Sequence, residues 1–167
     1  MTTPTADAPR RVATIGVYGF NLETFLDALQ EHDVVCVYDV RQRRGVRGPE
    51  YAWANAQRLI AALDQHCFNY EHHRDLAPTT ELRQLQYAED ARQGVGKRSR
   101  TLLAPEYADR YVNEILDAVD LPALLQSMPT KGTTALLCVE RDPEACHRSL
   151  ITTALEHLGA EVTHLRP

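Results

Sequence analysis

A chain of 167 residues, 44% apolar and 25% charged, fits one domain that buries about two thirds of its unfolded surface without disulfide or metal staples. No apolar run approaches the ~20 residues of a membrane span, so a soluble protein with no membrane partner is expected. A formal charge of −5 excludes a general polyanion binder, but the basic residues are clustered: all except Lys97 and Lys131 are arginines, concentrated in the runs 41–47 (RQRRGVR) and 97–100 (KRSR).

In chain order, residues 1–11 form a polar lead-in with no basic and apolar leader pattern, and are expected to be disordered and the protein cytoplasmic. Residues 12–16 read as a first strand. Asn21 caps a helix to about residue 31 whose stripe is Leu22, Phe25, Leu26 and Leu29. The continuous apolar run 34–38 is the mark of a strand buried on both faces. A helix over about 50–64 follows, with Trp53, Ala56, Ile60 and Leu63 on one side, then a weaker strand at 68–72. Two helices over about 78–92 and 105–119 enclose a polar, glycine-containing loop at 93–100, a candidate lid. Gly94-Val-Gly-Lys97 inside it is no P-loop, since Ala91 stands where the first glycine belongs and Arg98 follows the lysine. A strand at 133–139 leads to a helix of about 143–158 that Asp142 would cap, Pro143 would open and Gly159 would end. A last strand occupies 161–165.

Strands alternating with helices predict a single three-layer α/β domain over 12–167: a mainly parallel five-stranded sheet, helices on both faces, and an inserted helical pair. The strand ends then deliver Gly16 and Tyr18, Asp39 and Arg41, His72 and His73, and Glu140 to one sheet edge, the edge at which such folds bind ligands. Asp39, Arg41, Glu140 and Arg148 are expected to converge there.

The densest chemistry lies in 136–149 (LLCVERDPEACHRS), which carries Cys138, Glu140, Cys146, His147 and Arg148 at a strand-to-helix turn. Each residue also has a plainer reading. Cys138 sits in an apolar run and cysteine is among the most buried residue types. His147 heads the helix stripe of Ile151, Ala154 and Leu158. Glu140 directly follows five apolar residues, so it must emerge at the strand end or find a partner indoors. The four cysteines, at 36, 67, 138 and 146, show no paired spacing and are expected to be thiols.

Thr14-Ile-Gly16, the helix at 21–31, Asp39-Val-Arg41, and the Cys-x-Glu-x5-Cys-His-Arg element from Cys138 to Arg148 together resemble the bacterial and archaeal "domain of unknown function 488" family over about residues 12–166. Val17-Tyr18 stands where familiar members have His-Ser, Gln42-Arg-Arg44 replaces a proline, and Leu76-Ala-Pro78 replaces Leu-Gly-Gly, which marks an arginine-rich branch. The resemblance implies an α/β fold and a shared polar site, with no reaction attached.

The residues themselves favour an enzyme acting on a phosphate-bearing or otherwise anionic small molecule, nucleotide or nucleic-acid end. Arg41, Arg44, Arg47 and Arg148, with Gly16 and His72, would hold the anion; Asp39 or Glu140 would serve as base or nucleophile, and Tyr18 or His147 would protonate a leaving group. Hydrolysis or group transfer fits, glycosidic cleavage by paired carboxylates included. Thiol-dependent sulfur transfer through Cys146 is the alternative, although neither the rhodanese spacing nor the Cys-x5-Arg phosphatase spacing is present. No cofactor or metal is expected, and a metal-binding protein is a further alternative: Cys138, Cys146, His147, His72 and His73 offer ligands that strands can gather, although Cys-x7-Cys-His is not a standard zinc motif. A non-catalytic nucleic-acid module fits the arginine loops and conflicts with the net charge.

Overall fold

Alternate strand residues turn to opposite faces, and here each set is apolar. Ala13, Ile15, Val37, Ala135 and Leu137 pack on one side with Phe25, Leu29, Leu59 and Leu63; Val12, Cys36, Tyr38 and Leu136 pack on the other with Leu82, Tyr111, Leu124, Ile151 and Leu155. In the computed structural model, which describes residues 7–167, this gives a sheet between two helical layers. Residues 1–6 of the expected disordered lead-in lie outside the described residues.

The strands β1 (Arg11–Ile15), β2 (Val34–Asp39), β3 (Asn69–His72), β4 (Thr133–Leu137) and β5 (Glu161–Leu165) pair in the order β3-β2-β4-β1-β5, and every pairing is parallel. Helices α1 (Leu22–Glu31) and α2 (Ala56–Gln65) cover one face; α3 (Thr80–Gln93), α4 (Pro105–Glu114), α5 (Leu121–Ser127) and α6 (Arg148–His157) cover the other. No helix among the described residues is long and apolar enough to cross a membrane.

Topology places the site. From β2 the chain crosses through α2 to β3, away from the centre; from β4 it crosses through α6 to β5, in the opposite direction and over the opposite face. The adjacent strands β2 and β4 therefore flank a switch point, where outgoing connections diverge and leave a crevice at the carboxyl ends.

Three expected helices differ in their bounds. The segment expected as one helix over 50–64 opens with a 3-10 turn, Pro49–Ala54, and resets at Asn55 before α2. The helix expected to 119 ends at Glu114 and passes through a 3-10 turn at Leu116–Ala118 into α5, a short helix capped by Asp120 through Ala123 N and not anticipated from the pattern. The helix expected from 143 begins at Arg148. Pro143–Ala145 is a 3-10 turn, and Cys146 is fully extended (φ −140°, ψ 148°). Asp142 does not cap it, because its carboxylate accepts from Arg166 Nη1 at 2.9 Å, while the Ala145 carbonyl is drawn off by Arg100 Nε at 3.1 Å. The interruption turns Cys146 and His147 toward the crevice.

Candidate functional site

The β4 ladder ends at Leu137, two residues earlier than expected, and the chain turns over the end of β1. The Val139 carbonyl accepts from both Val17 N and Tyr18 N at 3.0 Å. A Cβ on Gly16 would stand 1.9 Å from the Glu140 carbonyl oxygen, so only glycine permits this approach. Arg148, wholly buried, clamps the same turn by donating from Nη1 to the Glu140 carbonyl at 2.7 Å and from Nη2 to the Arg141 carbonyl at 3.0 Å. Gly16 and Arg148 thus hold the backbone that presents Glu140.

Asp39 and Arg41 form a second buried support, 0% and 2% exposed. Arg41 donates to Asp39 from its backbone N, Nε and Nη2 (3.1, 2.9 and 2.8 Å), and Tyr70 adds its hydroxyl at 2.6 Å. Four donors saturate the carboxylate, and the remaining Arg41 Nη1 binds the Ala54 carbonyl at 2.9 Å. Asp39 consequently has no free oxygen lobe for a substrate proton, whereas the expectation treated it as a base equal to Glu140.

A small cavity of about 50 Å³ lies between these supports, with Cys138, Glu140, Cys146 and His147 on its floor and Gln86, Tyr107, Lys97 and Arg100 on its walls. His147 Nε2 donates to the Val40 carbonyl at 2.9 Å, which turns Nδ1 toward the sulfurs: Cys146 Sγ is 3.6 Å away and Cys138 Sγ 3.8 Å. Cys138 Sγ donates to Glu140 Oε2 at 3.3 Å. Burial raises the Cys138 thiol well above its ordinary value, with Cys146 and Glu140 adding to the effect. Burial also opposes charge on Cys146, but the neighbouring Cys138 side chain and the positive His147 and Arg148 outweigh it and hold this thiol well below the ordinary value. The imidazole is raised in turn, burial being overcome by the Cys146 thiolate and Glu140. Cys146 and His147 thus shift each other in opposite directions, the thiol toward greater acidity and the imidazole toward greater basicity. Cys138, Cys146 and His147 offer ligand atoms all within 4.8 Å of one another, which also suits a metal ion.

The loop expected as a lid closes one wall. Arg100 reaches down from it as a fork, Nη1 to Asp90 Oδ2 at 2.5 Å and Nη2 to Glu140 Oε1 at 2.9 Å, and Lys97 Nζ stands 4.0 Å from the same Glu140 oxygen. Asp90 is fixed by Gln86 at 2.9 Å. Gln86, Asp90 and Tyr107 were not singled out from the sequence, and Lys97 and Arg100 stood out only as members of the basic run 97–100, not as partners of Glu140. One signal was there: Leu82, Gln86 and Asp90 share a face at helical spacing, so an inward stripe turns polar where it meets the site.

Outside the small cavity lies a larger groove of about 910 Å³, lined by Tyr18, Arg43, Arg47, Arg83, Tyr87, Lys97 and Arg98. The two spaces share Arg43, Arg83, Tyr87 and Lys97. Among the described residues, Arg43, Arg47 and Arg83 have no carboxylate within ion-pair distance; Arg83 instead meets Gln42 Oε1 at 2.7 Å and the Tyr87 hydroxyl at 2.9 Å. Arg98 lies over the Tyr18 and Tyr51 rings, 5.2 Å from each centroid, and pairs with Glu50.

Of the residues expected at a site, Arg41, Glu140, Cys146 and His147 line the cavity, and Tyr18 and Arg47 line the groove. Asp39 and Arg148 lie behind the wall. Arg44 turns to the Tyr70 hydroxyl at 3.4 Å, His72 donates to the Arg41 carbonyl at 2.9 Å, and His73 stacks on Tyr38 and meets Glu71. Neither histidine joins the cysteines.

A family model described as a domain of unknown function, DUF488, matches residues 21–155. No curated protein and no solved structure matches the chain.

Proposed function

Since the chain belongs to the DUF488 family, whose description names no activity, the function rests on the site, and we propose an enzyme that hydrolyses or transfers a group on a phosphate-bearing ligand, a nucleotide or nucleic-acid end. The observation that carries this reading is the union of a groove holding arginines without carboxylate partners and a small reactive cavity at its base.

Each part does work that the other does not. The outer groove has room for a nucleotide, and Arg43, Arg47 and Arg83 offer planar forks for phosphate oxygens beside the Tyr18 and Tyr87 rings. The inner cavity holds a few water-sized groups, so only the reacting end of a ligand enters. Lys97 and Arg100 beside Glu140 counter negative charge on that end, and Glu140 Oε2, which contacts only the Cys138 thiol, is the oxygen positioned to take a proton.

Calorimetric titration with nucleoside mono-, di- and triphosphates and a 5′-phosphorylated oligonucleotide tests the reading, with the phosphate-free nucleoside as control. At least one phosphate-bearing probe is expected to bind, more weakly as salt rises, and Arg43→Ala/Arg47→Ala is expected to weaken it by roughly tenfold or more, on the scale of a charge-assisted hydrogen bond. Unchanged affinity in that variant, or equal binding of the bare nucleoside, overturns it.

A further inference from the structure

We propose that Cys138, Cys146 and His147 form a binding site for a transition-metal ion of the zinc class, with a fourth coordination position open to the cleft beside Glu140.

The geometry carries it. A tetrahedral ion at about 2.3 Å from sulfur and about 2.0–2.1 Å from nitrogen separates a sulfur from a nitrogen ligand by roughly 3.5 Å. The two Sγ–Nδ1 separations here are 3.6 and 3.8 Å, and all three ligand atoms lie within 4.8 Å of one another. The imidazole is oriented as a ligand is: Nε2 donates to the Val40 carbonyl at 2.9 Å, which fixes the ring and turns Nδ1 to the sulfurs. Ordinary packing would surround two buried cysteines with aliphatic carbon, whereas these two face one ring nitrogen, and Cys138 also meets a carboxylate. Reaching this arrangement requires the extended break at Cys146 that separates the 3-10 turn from α6.

Ligand chemistry narrows the ion. Two thiolates and an imidazole favour zinc, cobalt or iron over magnesium or calcium, which take oxygen. Two thiolates also cancel a dication, so loading leaves the buried floor neutral apart from the Glu140–Arg100 pair. Among the described residues three protein ligands converge, the count of an open centre rather than a closed structural one, and all three line the cavity. The site shares its cavity with the enzymatic reading but does not depend on it: it would bind metal whether or not the groove binds phosphate.

The test uses the full chain, stripped with chelator, kept reduced and titrated with Zn2+ and separately with Co2+. Stoichiometric binding is expected, and the cobalt form should show the intense visible bands of a tetrahedral ion with thiolate-to-cobalt charge transfer. Cys138→Ser, Cys146→Ser and His147→Ala, each checked for fold by circular dichroism, should lose affinity by more than the roughly 10–100-fold cost of removing an outer partner. Cys67→Ser, on an exposed cysteine elsewhere, should bind as the parent does. Absence of stoichiometric binding by the parent protein overturns the proposal whatever the variants do, and so does an octahedral cobalt spectrum or binding that survives Cys146→Ser. Metal bound without any phosphate-ligand affinity would leave this site standing and remove only the enzymatic reading.

Discussion

At the residue scale the two carboxylates that the sequence set side by side part company. Asp39 is saturated by Arg41 and Tyr70 in a fully buried pair, and Glu140 faces the cavity with one oxygen on Arg100 and the other on a thiol. Asp39→Asn is therefore expected to cost about 3–5 kcal/mol in urea unfolding, because it strands the buried Arg41 guanidinium. Glu140→Gln should fold, since Arg100 keeps Asp90, and should lower turnover on any substrate found by roughly 100-fold or more. Equal stability losses in the two variants would refute this division. The residue types were legible in the sequence, but their partners were not. Arg41 lies two positions from Asp39, and that spacing alone does not tell a closed fork from an arginine reaching toward solvent. Arg148 was legible as important for the same limited reason: its charge marked it, while its role in holding the Glu140 carbonyl depends on a turn formed only in three dimensions.

At the scale of elements, the apolar runs made the strands readable, because a strand buried on both faces needs no alternation to stand out. Helix starts were less readable. Asp142 and Pro143 have the composition of a start, yet their groups are taken by Arg166 and by a 3-10 turn, and α6 begins five residues after Pro143 without a side-chain cap. The loop between α3 and α4 was visible through its glycines, and its function depends on Arg100. That guanidinium ties the loop to Asp90 on α3, Glu140 after β4 and the Ala145 carbonyl before α6. Arg100→Met removes all three ties, strands the buried Asp90 without a cation and leaves Glu140 only the 4.0 Å contact with Lys97, so it should destabilise the fold by about 3–5 kcal/mol and release the loop first. Limited proteolysis under native conditions should then cut within residues 94–102 well before the parent chain is cut. Protection of that loop equal to the parent's would show that the lid is held by something other than Arg100.

For the molecule as a whole, strand order decides where chemistry accumulates. The sequence supplies alternating strands and helices, which is enough for an α/β domain, but nothing local says that β4 inserts between β2 and β1; that insertion creates the switch point and brings Val40 within reach of His147. It also buries β2 on both faces, with a consequence for pH. Burial, with a smaller contribution from Glu71 on β3, pushes the Cys36 thiol up to about 11, and burial outweighs Arg44, with Asp39 adding, to push Tyr70 up to about 12. Both are acids whose folded values exceed their unfolded ones, so the native state retains protons that the unfolded chain gives up. Their contribution to stability is complete below about pH 8.5 and is lost as pH rises through the folded values. Melting temperature is thus expected to hold from neutral pH to that point and fall increasingly from there to pH 11. Cys36→Ala is expected to start from a lower melting temperature, because it opens space in the sheet, and to fall less steeply over the alkaline range. Parallel curves for the two proteins above pH 8.5 would mean that Cys36 does not link β2 to pH.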